Sequence, residues 1–153
     1  WNISSGIMFN HESELRSNDY LFMKIVNSAI EIKNKNLNNV KLGGLDLQRD
    51  WSYAAEVMKA AKLIVESDEG EDYVIGSGKP TSIKFLIEFV FNYFDLNYEN
   101  YLQIDKDLLR PNEPKIKYSS PVKINKKFGW RTTLSVQDIL QKCIEQKLSD
   151  FST

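Results

Sequence analysis

The feature that most constrains this 153-residue chain is a repeated change of hydrophobic period. Short apolar runs closed by glycine, proline or polar residues alternate with longer stretches whose apolar side chains recur every three or four positions. The first pattern suits strands and the second suits helices with one buried face. "ISSGIMF" (3–9) reads as a buried strand running into the polar turn "NHES". "YLFMKIVNSAIEIKNK" (20–35) reads as a helix with Leu21, Ile25, Ala29 and Ile32 on one side. "VKLGGLDLQRDW" (40–51) gives two short strands about a glycine turn. "SYAAEVMKAAKLIVE" (52–66) follows as a helix with a stripe of Ala54, Val57, Met58, Ala61 and Ile64.

After the acidic run "ESDEGED" (66–72), which reads as a solvated loop, come the strand "YVIGSG" and the helix "IKFLIEFVFNYF" (83–94), with Ser82 suited to its N-cap. "YLQID" (101–105) suits a strand, and "LRPNEPKIKYSSPVK" (109–123) is proline-punctuated and mostly extended. The last helix has Val136, Ile139, Leu140, Cys143 and Ile144 on one face. Ser135 and Asp138 stand at capping-box spacing, with Asp in place of the usual Glu. Cys143 is therefore read as a core residue. Strand–helix alternation of this kind predicts an α/β fold, and the length suits one domain.

Composition narrows the function. The formal net charge of −1 gives no global field for nucleic acid or an anionic membrane. No apolar run approaches the roughly 20 residues that cross a bilayer. One cysteine and one histidine argue against an intrachain disulfide and against zinc, and suit a cytoplasmic setting. The chain opens on Trp1 rather than Met, which suggests a piece of a longer polypeptide.

Few residues stand out for chemistry. Tyr20 and Lys24 share a helix face at the i, i+4 spacing of a short-chain dehydrogenase acid/base pair. That chemistry needs a glycine-rich turn upstream, and Gly6 is the only glycine before Tyr20, so the pair is set aside. No G-x-S-x-G elbow occurs. What remains is cationic groups beside turn residues: Lys24, Arg49 in "LQRDW", and Arg110 in "LRPNEP" with Glu113 between two prolines. A guanidinium suits phosphate oxygens. Arg49 equally suits a surface pair with Asp50 or Glu56, and Arg110 an exposed loop. His11, the sole histidine, is read either as a turn residue or as a ligand-holding one.

Taken in order, "SGIMFNHESELR", "KLGGLDLQRDW", "DYVIGSGKPTSIKFLIE", "LRPNEPK" and "KKFGW" resemble the C-terminal half of the GDP-mannose 4,6-dehydratases, over about residues 5 to 148. "FNHES" is the most specific piece, while variants of "RDW" recur across related enzymes. These are extended short-chain dehydrogenase/reductases that use NADP. The resemblance implies the last strands of a Rossmann sheet, with residues 1–19 belonging to it, and a small α/β substrate-binding lobe over 20–153 interleaved with elements that complete the sheet. It implies cofactor contacts at His11 and Arg16. It implies substrate contacts at Asn10, Lys24, Arg49, Arg110 and Glu113. No catalytic residue falls in this stretch, since the family's Tyr, Lys, elimination Glu and glycine-rich turn lie in the N-terminal half. Hence the chain alone is expected to be inactive on NADP and GDP-mannose, and to associate or be only marginally stable without that half. A homo-oligomer is expected, as are GDP-mannose or a related GDP-sugar as ligand.

Departures bear on the site. After "HES" the family commonly has proline and an Arg-Gly pair, where Glu14, Leu15, Arg16 and Ser17 stand here. Met23 replaces an arginine before Lys24. A sister sugar-nucleotide reductase or epimerase, or a non-catalytic nucleotide-sugar binding module, are the alternative readings.

Overall fold

A computed structural model describes residues 2–150; Trp1 and residues 151–153, at the outer ends of the two expected portions, lie outside the described residues. The chain order is β1 (Gly6–Met8), β2 (Asn10–Glu12), α1 (Leu21–Lys33), β3 (Val40–Leu42), β4 (Gln48–Tyr53), α2 (Ala54–Val65), β5 (Tyr73–Ile75), β6 (Pro80–Ser82), α3 (Ile83–Tyr93), β7 (Leu102–Ile104), β8 (Ile116–Lys117), α4 (Val122–Phe128) and α5 (Val136–Asp150). Parallel pairs join β1 to β5, β2 to β4, β3 to β7 and β8 to β4. Only β6 meets its neighbour, β4, antiparallel. The alternation in the sequence is thus an α/β fold built on parallel pairs, which need crossover connections of this kind.

Several local expectations change. The strand expected over 3–9 is three residues long and exposed, with Ile7 51% and Met8 41% accessible. It has one hydrogen-bonded neighbour, β5, so its outward side chains have no cover. The polar "turn" that follows is itself a strand. Asn10, His11 and Glu12 register against Trp51, Ser52 and Tyr53 of β4. Its partner lies some forty positions away, so local periodicity could not reveal it. On α2 the buried stripe is Glu56, Val57, Ala60 and Ile64, and Met58 is exposed. Burial of Glu56, which accepts from the Thr133 amide at 2.9 Å and from its hydroxyl, turns the helix away from the expected face.

The segment expected to be extended through residue 123 turns helical at Val122. Pro121 opens α4 and Gly129, at φ 66°, closes it in the left-handed region that glycine reaches without strain. The acidic run is also less free than its charge suggested. Glu69 and Glu71 pair with Lys127 and Lys123 of α4, and the Asn2 and Ser4 side chains bond to the carbonyls of Asp68 and Glu69.

Other elements form where the periodicity puts them. Ser82 accepts from the Phe85 amide at 3.1 Å and starts α3. The Ser135–Asp138 box is reciprocal: Asp138 accepts from the Ser135 amide at 2.8 Å, and Ser135 accepts from the Asp138 amide at 3.2 Å. Cys143 is fully buried and its thiol is pushed up to about 12 by that burial, so it is no nucleophile.

Two cores result. The larger joins α1, α3 and α5 with β3 and β4, through residues such as Phe22, Trp51, Leu86, Phe91 and Leu140. The smaller holds Val57, Ala60, Ile64, Tyr73, Ile75 and Ile124 from α2, β5 and α4, with Trp130 just beyond the end of α4. Asp50 bolts them together. Its buried carboxylate accepts from the amides of Ser77 (2.8 Å), Gly78 (2.9 Å) and Ser119 (2.9 Å) and from both serine hydroxyls at 2.5 Å. Among the described residues, no helix is long and apolar enough to cross a membrane.

Candidate functional site

Strand β4 organises the site. Its side chains alternate in direction, so "QRDWSY" sends neighbouring residues to different tasks. Arg49 reaches toward β8, Asp50 is the bolt, Trp51 enters the larger core against Phe22, and Tyr53 reaches the segment after β2. Because β2 runs parallel beside its second half, "NHE" and "WSY" lie side by side.

Arg49 takes neither pairing considered from sequence. Only 8% accessible, it forms an ion pair with Glu113 at 2.7 Å. Its Nη1 donates to the carbonyls of Gln48 (2.7 Å), Pro114 (3.1 Å) and Lys115 (3.3 Å). Asp50 and Glu56 are occupied elsewhere, as above. Two residues expected at the ligand therefore meet each other. Arg110, in the same loop, is exposed, as an unliganded loop residue would be, and its side chain makes no ion pair among the described residues. Lys24 stands half-buried in the first turn of α1, and Asn10 is exposed on β2 beside Trp51.

The second cluster gathers at the end of β2. His11 Nδ1 lies 2.9 Å from the Phe9 carbonyl, a geometry in which Nδ1 donates and leaves Nε2 as a free acceptor. Glu12 is buried and sits 3.2 Å from Arg16 Nε. Burial pushes the Glu12 carboxyl up to about 7, against the opposing pull of Arg16. Arg16 Cζ lies 3.5 Å from the centroid of the Tyr20 ring. Glu14 accepts from the Tyr53 hydroxyl at 2.9 Å, and this bond raises the phenol above its ordinary value. Sequence reasoning passed over Glu12 and Tyr53, set Tyr20 aside with Lys24 and met Glu14 only as a departure from the family loop. The i, i+4 spacing of Glu12, Arg16 and Tyr20 was the one signal that could have found Glu12 and Tyr20. A surface groove of about 550 Å³ between the starts of α3 and α5 is lined by none of the expected ligand residues.

A family model for GDP-mannose 4,6 dehydratase matches residues 1–143. The chain belongs to the GDP-mannose 4,6-dehydratase family. It is 29% identical over 163 residues to a GDP-mannose 4,6-dehydratase of Sinorhizobium fredii (strain HH103), covering 95% of this chain and 46% of that one. Against GDP-mannose 4,6 dehydratase 1 of Arabidopsis thaliana the identity is 26% over 144 residues, with 94% and 40% covered. The chain thus spans less than half the length of these family members. Among solved structures, RMD from Pseudomonas aeruginosa complexed with NADPH superposes with a TM-score of 0.83 at 18% identity, over 97% of this chain and 49% of that one. DesIV, a dTDP-glucose 4,6-dehydratase from Streptomyces venezuelae with NAD and TYD bound, gives 0.83 at 16% identity, over 99% and 45%. These likenesses give the fold: the α/β arrangement described above matches just under half of each of those chains.

Proposed function

We propose that this chain is the substrate-binding portion of an NADP-dependent GDP-mannose 4,6-dehydratase-like lyase that works with an N-terminal Rossmann half. In that reading residues 1–19 join the Rossmann sheet, 20–153 hold the substrate, and the assembly is a cytoplasmic homo-oligomer. The observation that carries it is the register of β2 on β4, which sets the Asn10–Glu12 stretch of "FNHES" against Trp51–Tyr53, so that both segments share one sheet with Arg49 two positions upstream of Trp51, within a family match over residues 1–143.

The residues fit a nicotinamide dinucleotide on the side of β2. His11 has a free ring nitrogen to accept a hydrogen bond, and the terminal nitrogens of Arg16 have no ion-pair partner among the described residues, with a third of its side chain accessible. When bound, NADP supplies the oxidant that takes hydride from the hexose C4 and returns it at C6. Asn10 lies by the sugar and diphosphate, and Lys24 and Arg49 neutralise the diphosphate. Arg110 and Glu113 hold the nucleotide end, where a carboxylate suits ribose hydroxyls or the guanine N–H edge. The Arg49–Glu113 pair of 2.7 Å places the nucleotide-end carboxylate and the diphosphate guanidinium next to each other, with Nη2 making no aligned hydrogen bond among the described residues.

Calorimetry of GDP on this chain tests the reading. Binding is expected, at least about tenfold weaker in Arg49→Ala and in Arg110→Ala, the cost of a charged hydrogen-bond partner. UDP should bind less tightly than GDP. Equal binding by UDP, or indifference to both substitutions, would overturn it. Turnover of GDP-mannose by the chain alone would contradict the role of the N-terminal half.

A further inference from the structure

We propose that Glu12 and Tyr20 are positioning residues that lock the Arg16 guanidinium, so that its two terminal amino groups form a preoriented edge for a phosphate of the dinucleotide. This rests on the reading of Arg16 as a cofactor residue.

The contacts on Arg16 divide its guanidinium in a particular way. Glu12 Oε2 approaches Nε at 3.2 Å, and the Tyr20 ring supports the flat face at 3.5 Å from Cζ. Neither uses Nη1 or Nη2, the pair of donors that grips an oxyanion bidentately. Here Nε and Oε2 approach each other without an aligned hydrogen bond, and the fork makes no hydrogen bond among the described residues.

The loop between them is braced as well. Arg16 N donates to the Ser13 carbonyl at 3.1 Å, Tyr20 N to the Ser17 carbonyl at 3.3 Å, and the Ser17 hydroxyl to Asp19 at 3.2 Å. The neighbouring carboxylate that could have closed the fork, Glu14, is turned to the Tyr53 hydroxyl instead. The loop lacks the proline and glycine common in the family, and these side-chain and turn contacts give it a shape without them. Burying Glu12 is costly on its own, so its presence under Arg16 calls for a use beyond packing. A guanidinium immobilised in advance loses less freedom when an anion arrives, which is where the affinity comes from.

The test uses the ¹⁵N-labelled full chain and the Arg16 Nε–Hε signal. In the native chain this signal should show a rigid heteronuclear NOE and shift on titration with NADP. Glu12→Gln and Tyr20→Leu should both mobilise Nε and weaken the NADP response about tenfold, the scale of freezing one long side chain. Tyr20→Phe should keep both properties, which separates the stacking role from a general loss of fold. A mobile Arg16 in the native chain, or a response to NADP unchanged in Glu12→Gln and Tyr20→Leu, would overturn the proposal while leaving the cofactor reading in place. No shift of Arg16 with NADP in the native chain would remove the cofactor reading, and the proposal with it.

Discussion

The two cores are closed by different means. In the larger one, α1, α3 and α5 bury their stripes against each other, and Phe22, Leu86, Phe91 and Leu140 are fully enclosed. In the smaller one, α2 and α4 cover β5, but β1 beside it turns Ile7 and Met8 to solvent, and Val65 at the end of α2 is 83% accessible. An open strand edge with apolar side chains invites pairing. The difference teaches that the larger core can hold itself, while the smaller one is the face that the proposed N-terminal half would complete. The residues expected at the ligands sit along β2, β4 and the loop before β8, and Asp50 on β4 ties the strand to both cores.

The largest effect should come from removing that tie. Asp50→Ala removes the shared acceptor of five hydrogen bonds, and stability should fall by about 3–5 kcal/mol, as for breaking a buried charged network. The two cores should then melt apart. One unchanged cooperative transition in calorimetric scans would break the comparison.

Glu12 should give a smaller effect of opposite sign. Its carboxyl rises in the folded chain from the ordinary 4.5 to about 7, so the native state holds the proton more tightly than the unfolded one. The stability this contributes is complete below pH 4.5 and is lost as pH rises through about 7. Glu12→Gln should therefore match the native chain in acid and exceed it at pH 8 by about 3 kcal/mol, at 1.36 kcal/mol per unit by which the folded pKa is raised. Urea titrations at the two pH values check this, and a gap that does not open with pH would contradict it. Ser82→Ala, which removes the cap of α3, should cost about 1 kcal/mol by urea denaturation, within the larger core alone.

Much of the larger core was legible because its helices are amphipathic at a constant period. The α5 face, the Ser135–Asp138 box and the Ser82 cap follow from residue type and spacing alone. The rest depends on partners far away in sequence. β2 is three polar residues that become a strand only beside β4. Arg49 finds Glu113 across 64 positions, a pairing that local rules cannot prefer over Asp50 next door. The turn of α2 depends on Thr133, and the docking of the acidic run depends on the lysines of α4. α4 itself was readable from Pro121 and Gly129, but its lysines hid the short apolar face around Ile124. Within the candidate site, residue types came from the family's segments, whereas the Glu12–Arg16–Tyr20 stack needed coordinates.

Native-state hydrogen exchange tests the contrast between the cores most directly. Amides in the centres of α1, α3 and α5 should open only with global unfolding, while those joining β1 to β5, such as Tyr73 and Phe9, should exchange through a smaller opening of lower free energy. A single opening free energy shared by both sets would contradict the account.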